Sequence, residues 1–201
     1  MNSLRFVGRA YAIRTCLKIG GIEFTDSFIT FPELVAAKGT IGYSEDIPLG
    51  SVPVITLSTG QVVTQSQAIS RYAAKLANLY PTDPLQALFV DELVDVVGDI
   101  LSSAPQNADA AIKKELREKW ADGKLKIFMN YLNKKVTEAG PLSFLVEGKL
   151  SLADLYVYAS LKSILKGSYD YVPPSYLDAW PALLAYVAFY ESDHVVGPFK
   201  F

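Results

Sequence analysis

The sequence predicts an α/β unit followed by an all-helical one, and three observations carry that prediction. Strand-like alternation is confined to residues before Tyr80. The stretch "NLYPTDPLQ" (78–86), with two prolines and an aspartate, reads as a linker, and beyond it apolar residues recur at helical spacing. With 201 residues, half of them apolar, the chain can bury one substantial core or two modest ones, and a mean hydropathy of +0.20 excludes disorder.

Taken in order, Ala10, Ile13, Cys16 and Leu17 follow the i, i+3, i+4 rule over residues 8–18 and predict a helix that Gly20-Gly21 ends. "IEFTDSFIT" (22–30) alternates as a strand, and "FPELVAAK" (31–38) is long enough only for a short helix. "VPVITL" (52–57) and "QVVTQ" (61–65) read as strands joined through Ser58-Thr59-Gly60, and residues 68–77 as a helix. Past the linker, Phe89, Leu93, Val96, Val97 and Ile100 form one apolar stripe, and Leu125, Phe128, Leu132 and Val136 another. "KKELREKW" (113–120) alternates charges at i, i+4 and reads as a solvated helix face, whereas Tyr156, Tyr158 and Phe189 read as core.

Composition narrows the function. Nineteen basic against 21 acidic groups, with a pI near 5.5, lack the positive field that nucleic acid or an anionic membrane surface requires, so neither is an expected partner. No uncharged apolar run spans a bilayer, and a single cysteine allows no internal disulfide, which makes the cytosol the expected compartment. Cys16 falls on an apolar stripe and reads as a buried small residue. The single histidine, His194, next to Asp193, reads as surface, and no metal centre is expected.

The stretch "GSVPVITLSTGQVVTQSQAISRY" (50–72) holds the strongest signals. Pro53 gives no N–H to a ladder and Val52 before it is pushed extended, so backbone groups are left open there; the residues alone read as an ordinary trans proline opening an edge strand. Downstream, Thr64 with Gln67 fits a capping box and Ser66 is an alternative cap. Either way the helix opens with unsatisfied N–H groups and a positive dipole end, a seat for a carboxylate.

Together with "GRAYAIR" (8–14), "VDELVDVVGDI" (90–100) and "LSLADLYVY" (150–158), this stretch resembles the cytosolic glutathione transferases, nearest the sigma-like and alpha-like branches, over nearly the whole chain. In the last motif Ser151 and Asp154 form an N-cap pair and Leu150 with Leu155 a hydrophobic staple. The resemblance implies a thioredoxin-like domain over 1–78, a helical domain over 85–201 that contributes the pocket for a small hydrophobic electrophile, and a homodimer. It implies conjugation of glutathione, as co-substrate, to electrophiles through a stabilised thiolate. A glutathione-dependent isomerase, or a non-catalytic structural or interaction protein on the same fold, are the alternatives.

Carried over residue by residue, Val52 pairs its backbone with the cysteinyl unit before a cis Pro53, next to Ser51, where the family often has Gln. Gln65 and Ser66 hold the γ-glutamyl carboxylate. Lys38 meets the glycine carboxylate, with Leu34 standing where Trp is common, and Asp99 reaches the γ-glutamyl amine of the neighbouring subunit. The thiol needs a hydrogen-bond donor and nearby positive charge. The family's tyrosine at the end of the first strand falls on Ser3 when counted back without gaps, and on Phe6 if the loop is shorter by three. Positions 7–10, Val-Gly-Arg-Ala, exclude the serine-type arrangement. The expected pair is therefore Ser3 as donor and Arg9 as the charge beside the thiol, with Tyr11 as the fallback donor, or a first strand cut short at Met1.

Overall fold

The computed structural model describes residues 2–4, 8–39, 42–140 and 142–199; the side chains of 2–4 and of Lys38 lie outside that description. The chain divides into two compact units, residues 1–80 and 81–201.

In the first unit β1 (Asn2–Leu4) runs parallel to β2 (Ser27–Ile29), with Ser3 opposite Phe28, and β3 (Ile55–Thr56) pairs antiparallel with β4 (Val62–Val63). The helices are α1 (Tyr11–Ile19), α2 (Phe31–Lys38) and α3 (Ser66–Leu76). These two strand pairs with flanking helices belong to a thioredoxin-like unit. The strands are shorter than their alternation suggests: residues 22–26 join no ladder among the described residues, and β2 begins only at Ser27. Asp26 is instead drawn to Arg14 of α1 at 2.6 Å, which ties the chain to the helix before the ladder begins. α1 and α3 pack so closely that a side-chain carbon on Gly20 would lie 2.9 Å from the Cα of Ala77, so glycine is required there for approach and not for its backbone angle. Ile13, Cys16 and Leu17 face inward, with Ile69, Ala73 and Ala74 from α3. Thr30 and Glu33 close the start of α2 with a capping box.

The second unit is all helix: α4 (Pro84–Ser103), α5 (Ala110–Trp120), a π-helical turn (Ala121–Leu125), α6 (Lys126–Ala139), α7 (Leu152–Leu165), a 3₁₀ turn (Pro174–Ala179) and α8 (Pro181–Ser192). Pro84 serves as the first residue of α4 and Asp83 caps it, so the linker doubles as a helix start. The buried stripe of α4 is Val90, Leu93, Val94, Val97 and Ile100, leaving Phe89 39% exposed. The inner face is thus rotated by about one residue from the periodicity reading. On α6 it is Met129, not Phe128, that joins Leu125, Leu132 and Val136 in the core. Met129 shares one face of the regular helix α6 with Leu132 and Val136. In the π-helical turn before it, the carbonyl of Ala121 accepts a hydrogen bond from Tyr176 at 2.5 Å.

α7 is the axis of this unit. Tyr156 and Tyr158 are buried, and Tyr158 stacks on Tyr190 of α8 with ring centroids 4.0 Å apart, whereas Phe189 is only half-buried against Phe144. Asp154 is fully buried. It accepts from the backbone N–H of Leu145 and Ser151 (both 2.8 Å), the Ser151 hydroxyl (2.9 Å) and the Tyr186 hydroxyl (2.8 Å). Burial raises its carboxyl above the usual range even though these bonds pull it down. The charged run 113–120 departs from its reading. Lys114–Glu118 and Glu115–Lys119 pair on the surface, but Arg117 and Trp120 turn inward and are buried.

Candidate functional site

The open end of the β3–β4 hairpin collects four of the expected binding residues. Ile55 faces Val63, and Val52 and Ser66 each lie three residues beyond that pair, one strand entering and the other leaving at the same end. The Val52–Pro53 bond is cis. Pro53 and Val54 are buried, Val52 is half-buried and Ser51 is exposed. Among the described residues no backbone hydrogen bond engages Val52.

Across from it, α3 begins in an unusual way. Gln65 holds φ 71°, in the left-handed region that a residue with a side chain rarely adopts, and its side chain makes no capping bond. The capping box of Thr64 and Gln67 is therefore not what starts the helix, and Ser66 is its first residue, not its cap. The physical reason is backbone geometry: a capping residue needs an extended conformation, and the positive φ at Gln65 turns the chain out of it. Ser66 is buried at 7% exposure, and its carbonyl accepts a bond from the Ser70 hydroxyl at 2.7 Å. A left-handed Gln65 leaves no signature in composition or period, which is why reading the residues missed it.

The remaining candidates are placed as follows. Ser3 sits on β1, opposite Phe28, with its side chain outside the described residues, and Phe6 lies outside them altogether. Arg9 is exposed in the turn before α1, whose capping residue, Ala10, supplies no side-chain bond. Tyr11 opens α1 and is 5% exposed. Lys38 is the last residue of α2, and Leu34 on that helix is buried. Asp99 lies exposed on α4, in the second unit. Cys16 is sealed: burial pushes its thiol up to about 12, so it is protonated at neutral pH and no nucleophile. Among the described residues no group of His, Cys, Asp and Glu stands together as metal ligands, and no helix is long and apolar enough to cross a membrane.

A thioredoxin-like unit with an open backbone at a cis proline, followed by a bundle organised on a buried Ser–Asp helix start, defines a class of two-domain proteins. Residues 95–196 match the family model described as "Glutathione S-transferase, C-terminal domain". The chain is 31% identical over 153 residues to glutathione S-transferase 2 of Manduca sexta, covering 75% of this chain and 70% of that one. The structure of prostaglandin synthase D of Nilaparvata lugens superposes with a TM-score of 0.81 at 25% identity, over 98% of this chain and 94% of that one. The monomeric glutathione S-transferase Na-GST-3 of Necator americanus does so with a TM-score of 0.78 at 21% identity, over 98% and 93%. The chain belongs to the glutathione S-transferase family.

Proposed function

We propose that this protein is a glutathione transferase that joins the glutathione sulfur to small hydrophobic electrophiles in the cytosol. The start of α3 is the observation that carries the binding half of this reading. Ser66 is held in a buried first turn, and Gln65 is bent so that its own side chain does not cap the helix. The uncapped amides and the dipole end are a seat for a carboxylate, here the γ-glutamyl one. Glutathione's extended backbone pairs with the open N–H and C=O of Val52, beside Ser51 and Pro53. Lys38 meets the glycine carboxylate, and Asp99 of a second copy meets the γ-glutamyl amine.

The chemistry asks for a thiolate at neutral pH. Ser3 donates a hydrogen bond to it, and Arg9, at the uncapped and positive end of α1, favours the charged form. The sulfur then attacks an electrophilic carbon, forming the C–S bond as the leaving group departs with its electron pair. The same thiolate also serves an isomerase, in which sulfur adds and is later expelled, a reading favoured by the resemblance to a prostaglandin synthase.

Calorimetric titration of glutathione, ultraviolet absorbance of the bound thiol across pH, and turnover of a generic aryl halide test the proposal together. Binding with a lowered thiol pKa and aryl-halide turnover is the expected result. Binding with an unshifted thiol supports a non-catalytic protein on this fold and ends the transferase reading. Lowered thiol pKa without aryl-halide turnover selects the isomerase. Sedimentation beside Asp99→Ala kinetics tests the shared site: a monomer with full activity removes Asp99 from it.

A further inference from the structure

A side chain that caps a helix start occupies its first amides, so a start that receives a carboxylate needs an anchor of another kind. At α3 the Gln65 side chain makes no capping bond, and the anchor comes from one turn inside. The Ser70 hydroxyl donates to the carbonyl of Ser66 at 2.7 Å. In the i−4 pattern of an α-helix the same carbonyl accepts from the Ser70 N–H, so two donors of one residue meet the carbonyl of the first helical residue. Neither bond uses an amide of the first turn.

Burial alone does not impose this bond. Ser70 is 0% exposed on the inner face of α3, with Ile69, Ala73 and Ala74, where an alanine would pack without a hydroxyl to satisfy. Ser160 on α7 is buried almost as deeply, at 2% exposure, yet its hydroxyl has no hydrogen-bond partner among the described residues. Thr137 and Ser163 do donate to the carbonyls of Asn133 and Ala159, at 2.7 and 2.8 Å, but both acceptors lie in the interior of their helices. Of these three back-bonds, only that of Ser70 ends on the first residue of a helix.

We propose that Ser70 is a positioning residue for the carboxylate seat at the start of α3, acting through the peptide group between Ser66 and Gln67 and never touching the ligand. This role rests on the reading of that start as the seat of the γ-glutamyl carboxylate. The Ser66 carbonyl and the Gln67 N–H belong to one peptide group and point in opposite directions along the helix, the N–H toward its start. The hydroxyl therefore does two things. It fixes the tilt of that peptide, as serine bonds to an i−4 carbonyl do, and by adding an acceptor bond to the carbonyl it polarises the group and makes its N–H a stronger donor to an anion.

The test is calorimetric titration of the full chain and of Ser70→Ala with two ligands. One is glutathione, and the other is its analogue with 4-aminobutanoate in place of the γ-glutamate, which lacks only that carboxylate. The parent chain should bind glutathione about tenfold or more tighter than the analogue. Ser70→Ala should raise the Kd for glutathione about three- to tenfold and leave that of the analogue unchanged, which a general loosening of the fold would not do. In turnover, KM for glutathione should rise by the same factor while kcat at saturating glutathione keeps the parent value. A parent that binds both ligands equally overturns the seat and the role of Ser70 together. A parent that discriminates between them, while Ser70→Ala weakens both alike or neither, leaves the seat standing and overturns the positioning role alone.

Discussion

At the start of α7, every donor within reach of Asp154 has been taken up: two backbone N–H groups and two hydroxyls end on one carboxylate, all of it buried. At the start of α3 the chain does the opposite. Gln65 twists to φ 71°, its side chain does not cap the helix, and Ser66 is buried in the first turn. Thr64-x-x-Gln67 and Ser151-x-x-Asp154 look alike as strings, yet one closes on itself and the other is left open. The difference separates a helix terminus that serves the fold from one proposed to serve a ligand. Donors satisfied internally lock the bundle, whereas donors left open are met by water or by a bound anion.

The largest effect is expected at the closed end. Asp154→Ala strands four donors in the core and should cost about 3–5 kcal/mol of stability by chemical denaturation. A loss under about 1 kcal/mol would mean that α7 does not depend on its start. Any folded fraction should keep the proposed carboxylate seat at the start of α3, which lies in the other unit.

At the open end the pattern reverses. Ser66→Ala should weaken glutathione by about 1.5–3 kcal/mol, a KM roughly tenfold or more above wild type, as a hydrogen bond to a charged group is lost. Its unfolding free energy by chemical denaturation should stay within about 0.5 kcal/mol of wild type. A KM equal to wild type removes the carboxylate from this helix start. Arg9→Leu, beside the uncapped start of α1, should raise the pKa of bound thiol by about one unit and lower kcat/KM to match. Ser3→Ala should add a smaller increment in the same direction, and Tyr11→Phe none. If Tyr11→Phe alone abolishes turnover, the donor is Tyr11 and Ser3 is a bystander.

The smallest effect sharpens the comparison with an ordinary surface pair. Glu92 and Lys135 bond at 2.8 Å with side chains 40% and 26% exposed. Burial raises the Glu92 carboxyl, but the hydrogen bond and charge of Lys135 outweigh it and leave the group below its usual range. A lowered carboxyl stabilises the fold above its unfolded pKa, and that contribution disappears as pH falls through the folded value. Glu92→Gln should therefore cost no more than about 0.5 kcal/mol at neutral pH, a difference that vanishes in acid. A difference that grows in acid would contradict the sign.

Local pattern carried much of this molecule. The change from alternation to helical period near Tyr80 placed the two structural classes. The 31–38 run forms the helix its length allowed, and Ser151 with Asp154 forms the expected pair, because those signals depend on neighbours three or four residues away. The stripes were legible to within one residue. They slipped at Phe89 on α4 and at Phe128 on α6, where a neighbouring apolar residue competed for the same face. Four candidate residues, Val52, Pro53, Gln65 and Ser66, could be named from one continuous stretch because a hairpin returns them to one end. That resolution is local as well.

What depended on tertiary structure are the places where a side chain's environment comes from far along the chain. The 113–120 run is charged at every helical neighbour and reads as solvent-facing, yet Tyr169, some fifty residues on, turns Arg117 and Trp120 inward. Asp154 is a cap by sequence, but its bond to Tyr186 makes it a core group. Gln65 stands at φ 71° between β4 and α3, a backbone state that its neighbours in the sequence do not announce. Periodicity reports which face of an element is apolar. Only packing decides which polar groups are enclosed with it, because desolvation depends on everything that closes around a group and not on the residues that adjoin it in the chain.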